Sequence, residues 1–458
     1  MTTNPYPAGS DDWWLHRLAD ALDRRRPHFE MLDAYMCGTQ GIPINASRAT
    51  RDAYRRLAAM ARTNYAELIV EAVRERMVPL GFRTGADGDE LGDREAWRIW
   101  QANAMDADHA ILDRMVLAFG IAYAIVGAGD GEMPVVTVED PRQVVTQQDP
   151  ANRRRTLAGL KVHVDDVSGE DVAQLFLPSR MMEARRDHRI DGPAAHGAEW
   201  KWVSRISTGV DVVPVVPFVY RPASIGAASP GIAEIEPHLA ILDRINYTLL
   251  SRLEAVTMQA FRQRAIKGLP LLDADGRDVD YDDVFSADPG ALWQLPATAE
   301  MWESGLIDLT PILESVRADV RDLAAVTRTP MTYLFPDAAG QSAEGASLMR
   351  EGLVFKVADR IAQAGESYEQ LMALAFAFLA DVERSSRADM EVIWATPERF
   401  SLAEKASAAA QAAAAGMPWR TIMSEIWQFS PQQIDRMESE RMTDVLLGDF
   451  GGADEIAS

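Results

Sequence analysis

Cysteine is nearly absent from this 458-residue chain, which has only Cys37. One thiol excludes an internal disulfide framework and fits assembly in a reducing cytoplasm. No base flanks Cys37, so a catalytic thiol is not expected. Lysine is scarce as well. Five of the 46 basic residues are Lys and 41 are Arg, against 69 Asp and Glu, for a net charge of −23. Tight non-specific binding of nucleic acid needs many cations set against phosphates. A surface this acidic argues against a protein that grips DNA, but not against a channel through which DNA slides. Long apolar runs are missing too: Leu371–Ala380 falls well short of the roughly 20 residues a membrane span needs. Residues 1–10 have neither a basic n-region nor an apolar h-region, so no signal peptide is expected.

Catalytic signatures are also lacking. The chain contains no G-x-x-x-x-G-K-[ST], no G-x-S-x-G and no H-E-x-x-H. Gly127-Ala-Gly129-Asp-Gly131 follows a strand-like run, but its third Gly comes one residue early for a dinucleotide fingerprint. A second strand-like run follows, so the stretch reads as a hairpin turn. Asp273, Asp275, Asp278, Asp280, Asp282 and Asp283 surround Gly276. An EF-hand loop needs an acid at its fifth position and Gly at its sixth. Counted from Asp273, Gly276 comes too early and Arg277 takes the acidic place, so Asp275-Gly276 reads as a turn. Asp106, Asp108 and His109, and likewise His163, Asp165 and Asp166, are adjacent as polar surface residues often are. No metal, no cofactor and no catalytic residue is expected.

What the chain does contain is ordinary globular material. Its 47% hydrophobic content supports a sizeable core, and its length suits roughly two to four domains. Residues 12–80 read as helices, broken at Pro27 and at Gly38, Gly41 and Pro43. A second helix is predicted from about Thr50 to Met77, ended by Pro79 and Gly81, and Asp93 caps another that carries Trp97 and Trp100. Residues 120–222 form a β-rich insert. It holds the hairpin around Gly129 and strand candidates at Leu157–Val164, Val172–Leu177, Glu199–Ser204 and Val212–Tyr220.

From Ile235, apolar residues recur every three or four positions through Leu242, Leu249 and Val256 to Ala260. A helix from His238 to Arg264 is predicted, roughly 40 Å long. Its other face carries Arg244, Ser251, Glu254 and Arg262. Residues 265–309 are irregular, with short strand candidates at Leu269–Leu272 and Ala291–Leu295. Thr310 and Pro311 open a helix to about Thr327. A Pro-rich loop follows to Gln341, and Ser342 caps a very long helix carrying Leu353, Val357, Tyr368 and Leu371. Shorter helices end the chain.

This order of elements resembles that of the portal proteins of tailed phages: wing, stem, clip, stem, tunnel loop, wing, crown. Local segments carry the same resemblance. They are Tyr35-Met-Cys-Gly38 with Ile42-Pro43, Asn64 with the helix to Met77 and Gly81-Phe82, and Trp100-Gln-Ala-Asn103 with Phe119-Gly120-Ile-Ala-Tyr123. Asp140-Pro141, Asp149-Pro150, Thr329-Pro330 and Ser342-Ala-Glu344-Gly-Ala follow in order. The similarity spans about residues 12–440.

The resemblance implies an α+β, mainly helical chain that assembles as a cyclic ring of twelve. It divides the chain into a wing (1–233) holding the β-rich insert, a first stem helix (234–264), a clip (265–309) and a second stem helix (310–327). A tunnel loop (328–342), a long wing helix with a following strand (343–395) and a crown (396–458) complete it. The implied partners are double-stranded DNA, the terminase large subunit, a head–tail adaptor and the major capsid or scaffolding protein, with no membrane. The implied location is the capsid vertex of the virion, after assembly in the host cytoplasm. Pro336, Asp337, Gln341 and Ser342 are the expected DNA-facing loop positions. Asp273, Asp275, Asp278 and Asp280 are expected at the partner-binding clip, and Arg244, Ser251, Glu254 and Arg262 on the polar face of the stem. Two rival readings are a metal-dependent nuclease built on the acidic run and another capsid-associated adaptor.

Overall fold

A computed structural model describes residues 4–41, 51–86, 92–129, 133–188, 199–224, 230–260, 264–268, 300–303, 305, 307–335 and 343–451. The chain opens with α1 (Asp11–Met36), α2 (Arg51–Ala61), α3 (Tyr65–Arg74), β1 (Pro79–Arg83), α4 (Arg94–Ala102) and α5 (Met105–Phe119). Eight strands follow: β2 (Ala122–Gly127), β3 (Val135–Glu139), β4 (Val144–Gln148), β5 (Thr156–Asp165), β6 (Glu170–Leu177), β7 (Arg180–Asp187), β8 (Lys201–Ser207) and β9 (Val215–Phe218). Then come α6 (Leu239–Ala260), β10 (Arg264–Lys267), β11 (Glu300–Glu303), α7 (Thr310–Thr327), α8 (Met331–Leu334) and α9 (Ala343–Phe378). The last elements are β12 (Glu391–Trp394), α10 (Leu402–Ala414), α11 (Trp419–Thr421), a π-helical turn at Ile422–Trp427 and α12 (Pro431–Gly451). No helix among the described residues is long and apolar enough to cross a membrane.

The chain divides into two compact units. One comprises residues 1–40, 64–242 and 322–458, the other residues 41–63 and 243–321.

In the larger unit, β4-β5-β6-β7-β8 form a five-stranded antiparallel sheet and β3-β2-β9 a three-stranded one. Helix α1 lies on the first sheet. Its Leu15, Leu18, Ala19 and Leu22, spaced for one helical face, pack with Val145, Leu160, Ala173 and Leu175. Each of these Leu and Val side chains contributes about 1.5–3 kcal/mol on burial. The Ser10 hydroxyl starts α1 by accepting the Trp13 N–H at 3.2 Å, and Gly38 follows its end in the left-handed region (φ +64°). Strand β2 is the centre of its sheet, so Ala122 to Val126 are all buried, as an uninterrupted apolar run requires. Helix α9 is buried at every position from Leu371 to Phe376, the first part of the longest apolar run. The pair β1–β12 is antiparallel, with Phe82 opposite Val392.

Several expectations are corrected here. Pro27 does not break a helix, because α1 continues through it to Met36. Proline costs one backbone hydrogen bond, but buried Leu22 before it and buried Phe29 and Leu32 after it hold both halves in place by packing. The predicted helix from Thr50 to Met77 is two helices, since Asn64 starts α3 afresh by accepting the Glu67 N–H at 3.3 Å. Pro79 and Gly81 lie within β1. Strands β4 and β7 were not predicted. In β7, Met182, Ala184 and Arg186 are buried in alternation with Glu183 and Arg185, a period hidden by its charges. Residues 328–342 are not loop throughout, since α8 occupies part of them.

The smaller unit contains α2, the part of α6 beyond Leu242, the β10–β11 pair and the part of α7 up to Arg321. Residues 41–63, expected with the wing, belong to this unit, and the Thr63 N–H donates to the buried Asn246 side chain at 3.0 Å. Helix α6 ends before the predicted Arg264. That residue opens β10, which pairs antiparallel from Arg264 opposite Glu303 to Lys267 opposite Glu300, and a cross-strand ladder overrides the helical period. The apolar stripe of α6 is buried at Ile245, Leu249 and Leu250, but Val256 is exposed. The strand candidates at 269–272 and 291–295 lie outside the described residues.

Candidate functional site

The two helices expected to form the stem are α6 and α7. Within the smaller unit, Arg244 of α6 pairs with Asp319 of α7 at 2.9 Å, and the Gln259 amide donates to the Ile307 carbonyl at 2.8 Å. The Ser251 hydroxyl donates back to the Tyr247 carbonyl of its own helix, as Thr248 does to Arg244 and Thr257 to Leu253. These hydroxyls are satisfied within the helix and present no free donor. Glu254 is half-buried. The structure therefore brings Arg244, Ser251 and Glu254 onto one helix. Arg262, Asp273, Asp275, Asp278, Asp280, Pro336, Asp337, Gln341 and Ser342 lie outside the described residues.

In the larger unit, a buried charged clamp joins α9 to both neighbouring chain ends. Glu234, just ahead of α6, accepts from Lys356 Nζ at 2.9 Å and from Arg360 Nε at 2.5 Å, with side chains 3%, 8% and 10% exposed. Lys356 Nζ also donates to the carbonyl of Thr327, the last residue of α7, at 3.0 Å. The Glu234 N–H donates to the Leu117 carbonyl at 2.8 Å. One ammonium thus satisfies a helix-end carbonyl that has no partner in its own helix. Burial would raise the Glu234 pKa, but Lys356 and Arg360 outweigh it and hold the carboxyl below its ordinary value. Burial lowers the Lys356 pKa, with Glu234 opposing. Beyond Thr327 the chain turns through Arg328 in the left-handed region (φ +55°), which is unfavourable for a residue with a side chain. The Thr327 hydroxyl donates to the Leu323 carbonyl at 2.7 Å and lies 3.0 Å from that of Thr329.

Two further buried acids tie helices together. Asp113 of α5 takes hydrogen bonds on Oδ1 from the hydroxyls of Tyr220 and of Tyr368 in α9, while its Oδ2 has no partner among the described residues. Burial pushes its pKa up to about 6 against the two tyrosine hydrogen bonds. Asp93 caps α4 through the Ala96 N–H at 2.9 Å and accepts from Thr84 at 2.6 Å and Arg384 at 2.8 Å. Burial works against these bonds, yet the carboxyl stays below its ordinary value.

Two of the acids that lie beside histidines in the sequence serve local structure. Asp106 accepts from the Trp100 indole at 2.9 Å and from Gln101, and Asp165 closes a turn at the Val167 N–H. No group of three or more His, Cys, Asp or Glu among the described residues is arranged to hold a metal ion. Sequence reading missed the clamp, whose members lie 122 and 126 residues apart in the chain. Its one signal was Lys356, a rare lysine between the apolar Leu353 and Val357 of α9.

Residues 15–445 match the model of a family described as phage portal protein, SPP1 Gp6-like. The portal proteins of Mycobacterium phage L5 and Mycobacterium phage D29 are each 26% identical to this chain, over 364 and 366 residues. Each alignment covers 76% of this chain and 72% of the relative. A chain from the neck of a native gene transfer agent particle, computed with C12 symmetry, aligns with 86% of this chain at 13% identity and a TM-score of 0.44. The element order read from the sequence and a family match across nearly the whole chain agree: the protein belongs to the SPP1 Gp6-like family of phage portal proteins.

Proposed function

We propose that this portal protein acts as one of twelve subunits of a ring at a single capsid vertex, through which double-stranded DNA is packaged and later ejected. Helices α6 and α7 wall the channel. Residues 265–309 form the clip, with Asp273, Asp275, Asp278 and Asp280 meeting the terminase large subunit and then the head–tail adaptor. Residues 328–342, which include α8, form the segment that approaches DNA through Pro336, Asp337, Gln341 and Ser342. The wing meets the major capsid or scaffolding protein, and assembly takes place in the host cytoplasm.

The observation that carries this reading is the joint anchoring of α6 and α7. Arg244 and Asp319 bridge the helices, and the clamp holds Glu234, five residues ahead of α6, and Thr327, the last residue of α7, to α9. Helices tied to each other suit a wall that must hold its shape while a polymer passes. The acid-rich, lysine-poor composition supports the same reading, because few cations means few phosphate contacts to retard DNA. The role is structural and needs no metal-bound water or nucleophile.

A photo-cross-linking residue at Gln341, in assembled particles carrying DNA, tests the loop assignment. Adducts to DNA from Gln341, and none from a matched site at the exposed Val167, are expected. Adducts from Val167 alone would reject the assignment.

A further inference from the structure

Two cavities, of about 410 and 530 Å³, open against α9 and share Arg154, Gln370 and Arg387. Arg25 and Arg153 line the first as well, and Arg155 the second. Among the described residues, the carboxylates lining them are Glu366 and Asp211. Five arginines against two acids is the reverse of the chain's balance of 46 basic to 69 acidic residues.

The local acids do not neutralise the cluster. Glu366 serves both Arg154 at 2.5 Å and Arg387 at 3.5 Å. Arg155 reaches only to 3.8 Å from Asp149. Arg153 is exposed and makes no hydrogen bond or ion pair among the described residues. Guanidiniums lining one cleft repel one another, and added negative charge relieves that repulsion. The walls between them are apolar, with Pro217 and Val219 in one cavity and Val213 and Leu374 in the other. A DNA backbone brings phosphates but little apolar surface to bury. A protein segment with carboxylates beside apolar side chains satisfies both parts of the cleft.

We infer that this arginine-lined cleft on α9 docks an acidic surface segment of a second copy of the chain, the neighbouring subunit of the ring. The inference rests on the ring reading above. Charge complementarity favours the occupant: chains of net charge −23 repel at long range, and a contact that places cations of one copy against carboxylates of the next offsets that repulsion. The cleft concentrates arginines where the rest of the surface has acids to offer.

The test is subunit exchange and mass by light scattering, at low and high salt, for the full-length protein and for Arg153→Glu/Arg154→Glu. Both side chains are exposed, so the fold survives, and the melting curve checks that it does. The double variant is expected to need about tenfold or more higher concentration to assemble, and assembly of the parent is expected to weaken with salt. Arg153→Lys/Arg154→Lys should assemble nearly as the parent does. A charge-reversed protein that assembles at the parent's concentration would overturn the inference. If it assembled equally but lost binding of a short DNA duplex, the cleft would belong to nucleic acid instead. A parent that forms no ring would remove the ring reading, and the inference with it.

Discussion

Helix α1 and the five-stranded sheet meet through apolar groups, with Leu15, Leu18 and Leu22 against Val145, Leu160 and Leu175. The junction of α9 with Glu234 and the end of α7 is buried as deeply, but there the contact is Glu234 with Lys356 and Arg360. Apolar packing has no direction and accepts any shape that fills space. A charged clamp is directional. Lys356 Nζ must reach both a carboxylate and the Thr327 carbonyl, so it fixes where α7 ends and where the chain toward residue 328 departs. The sheet region supplies bulk stability, whereas the clamp supplies position. Net stabilisation from such buried charges is small, and their loss one at a time is costly.

The contrast breaks most strongly where charge is forced into an apolar layer. Leu249 is buried in the stripe of α6. Leu249→Asp should cost several kcal/mol and abolish both the folding transition and ring formation, read by thermal melting and by particle mass. A soluble, assembled Leu249→Asp protein would mean that the packed face of α6 is misassigned.

The next effect comes from the clamp. Glu234→Ala leaves Lys356 and Arg360 buried without their counter-ion and should cost about 3–5 kcal/mol in denaturant unfolding. Glu234→Leu/Lys356→Met/Arg360→Met, which replaces the whole clamp, should come within about 1–2 kcal/mol of the parent. In that variant, hydrogen exchange around Thr327 should nevertheless speed up, because the Thr327 carbonyl loses its donor. Equal exchange in parent and triple variant would show that the clamp does not position the end of α7.

Asp113 gives the smaller effect, with a defined pH window. Its folded pKa of about 6 lies above the ordinary 3.8, so folding favours the protonated acid. The stability this gives is full below about pH 4 and disappears as pH rises through 6, a difference of about 3 kcal/mol at most. Asp113→Asn should remove that fall, so the variant gains on the parent between pH 4 and 7 in melting temperature. Glu234 has the opposite sign: its depressed pKa contributes stability that is lost as pH falls.

The same contrast separates what was legible in the sequence from what was not. Apolar layers leave a period, which is why α6, α7, α9 and the β2–β3 hairpin could be read from residue spacing alone. Period fails where charge and apolarity alternate, as in β7, and where packing on both sides carries a helix through Pro27. It also fails at Arg264, where a cross-strand partner more than thirty residues away decides for strand. The clamp leaves no local trace beyond Lys356, since a buried ion pair is a property of distant positions brought together. The order of elements, rather than any motif, made the family legible.

The central claim is a closed ring of portal subunits, and the mass of the purified protein tests it most directly. Light scattering with images of the same fraction should give ring-shaped particles with a central hole, on the order of 600 kDa or twelve times the 50.5 kDa chain. A compact 50.5 kDa monomer that stays monomeric at all concentrations and with capsid and terminase proteins present would contradict the account.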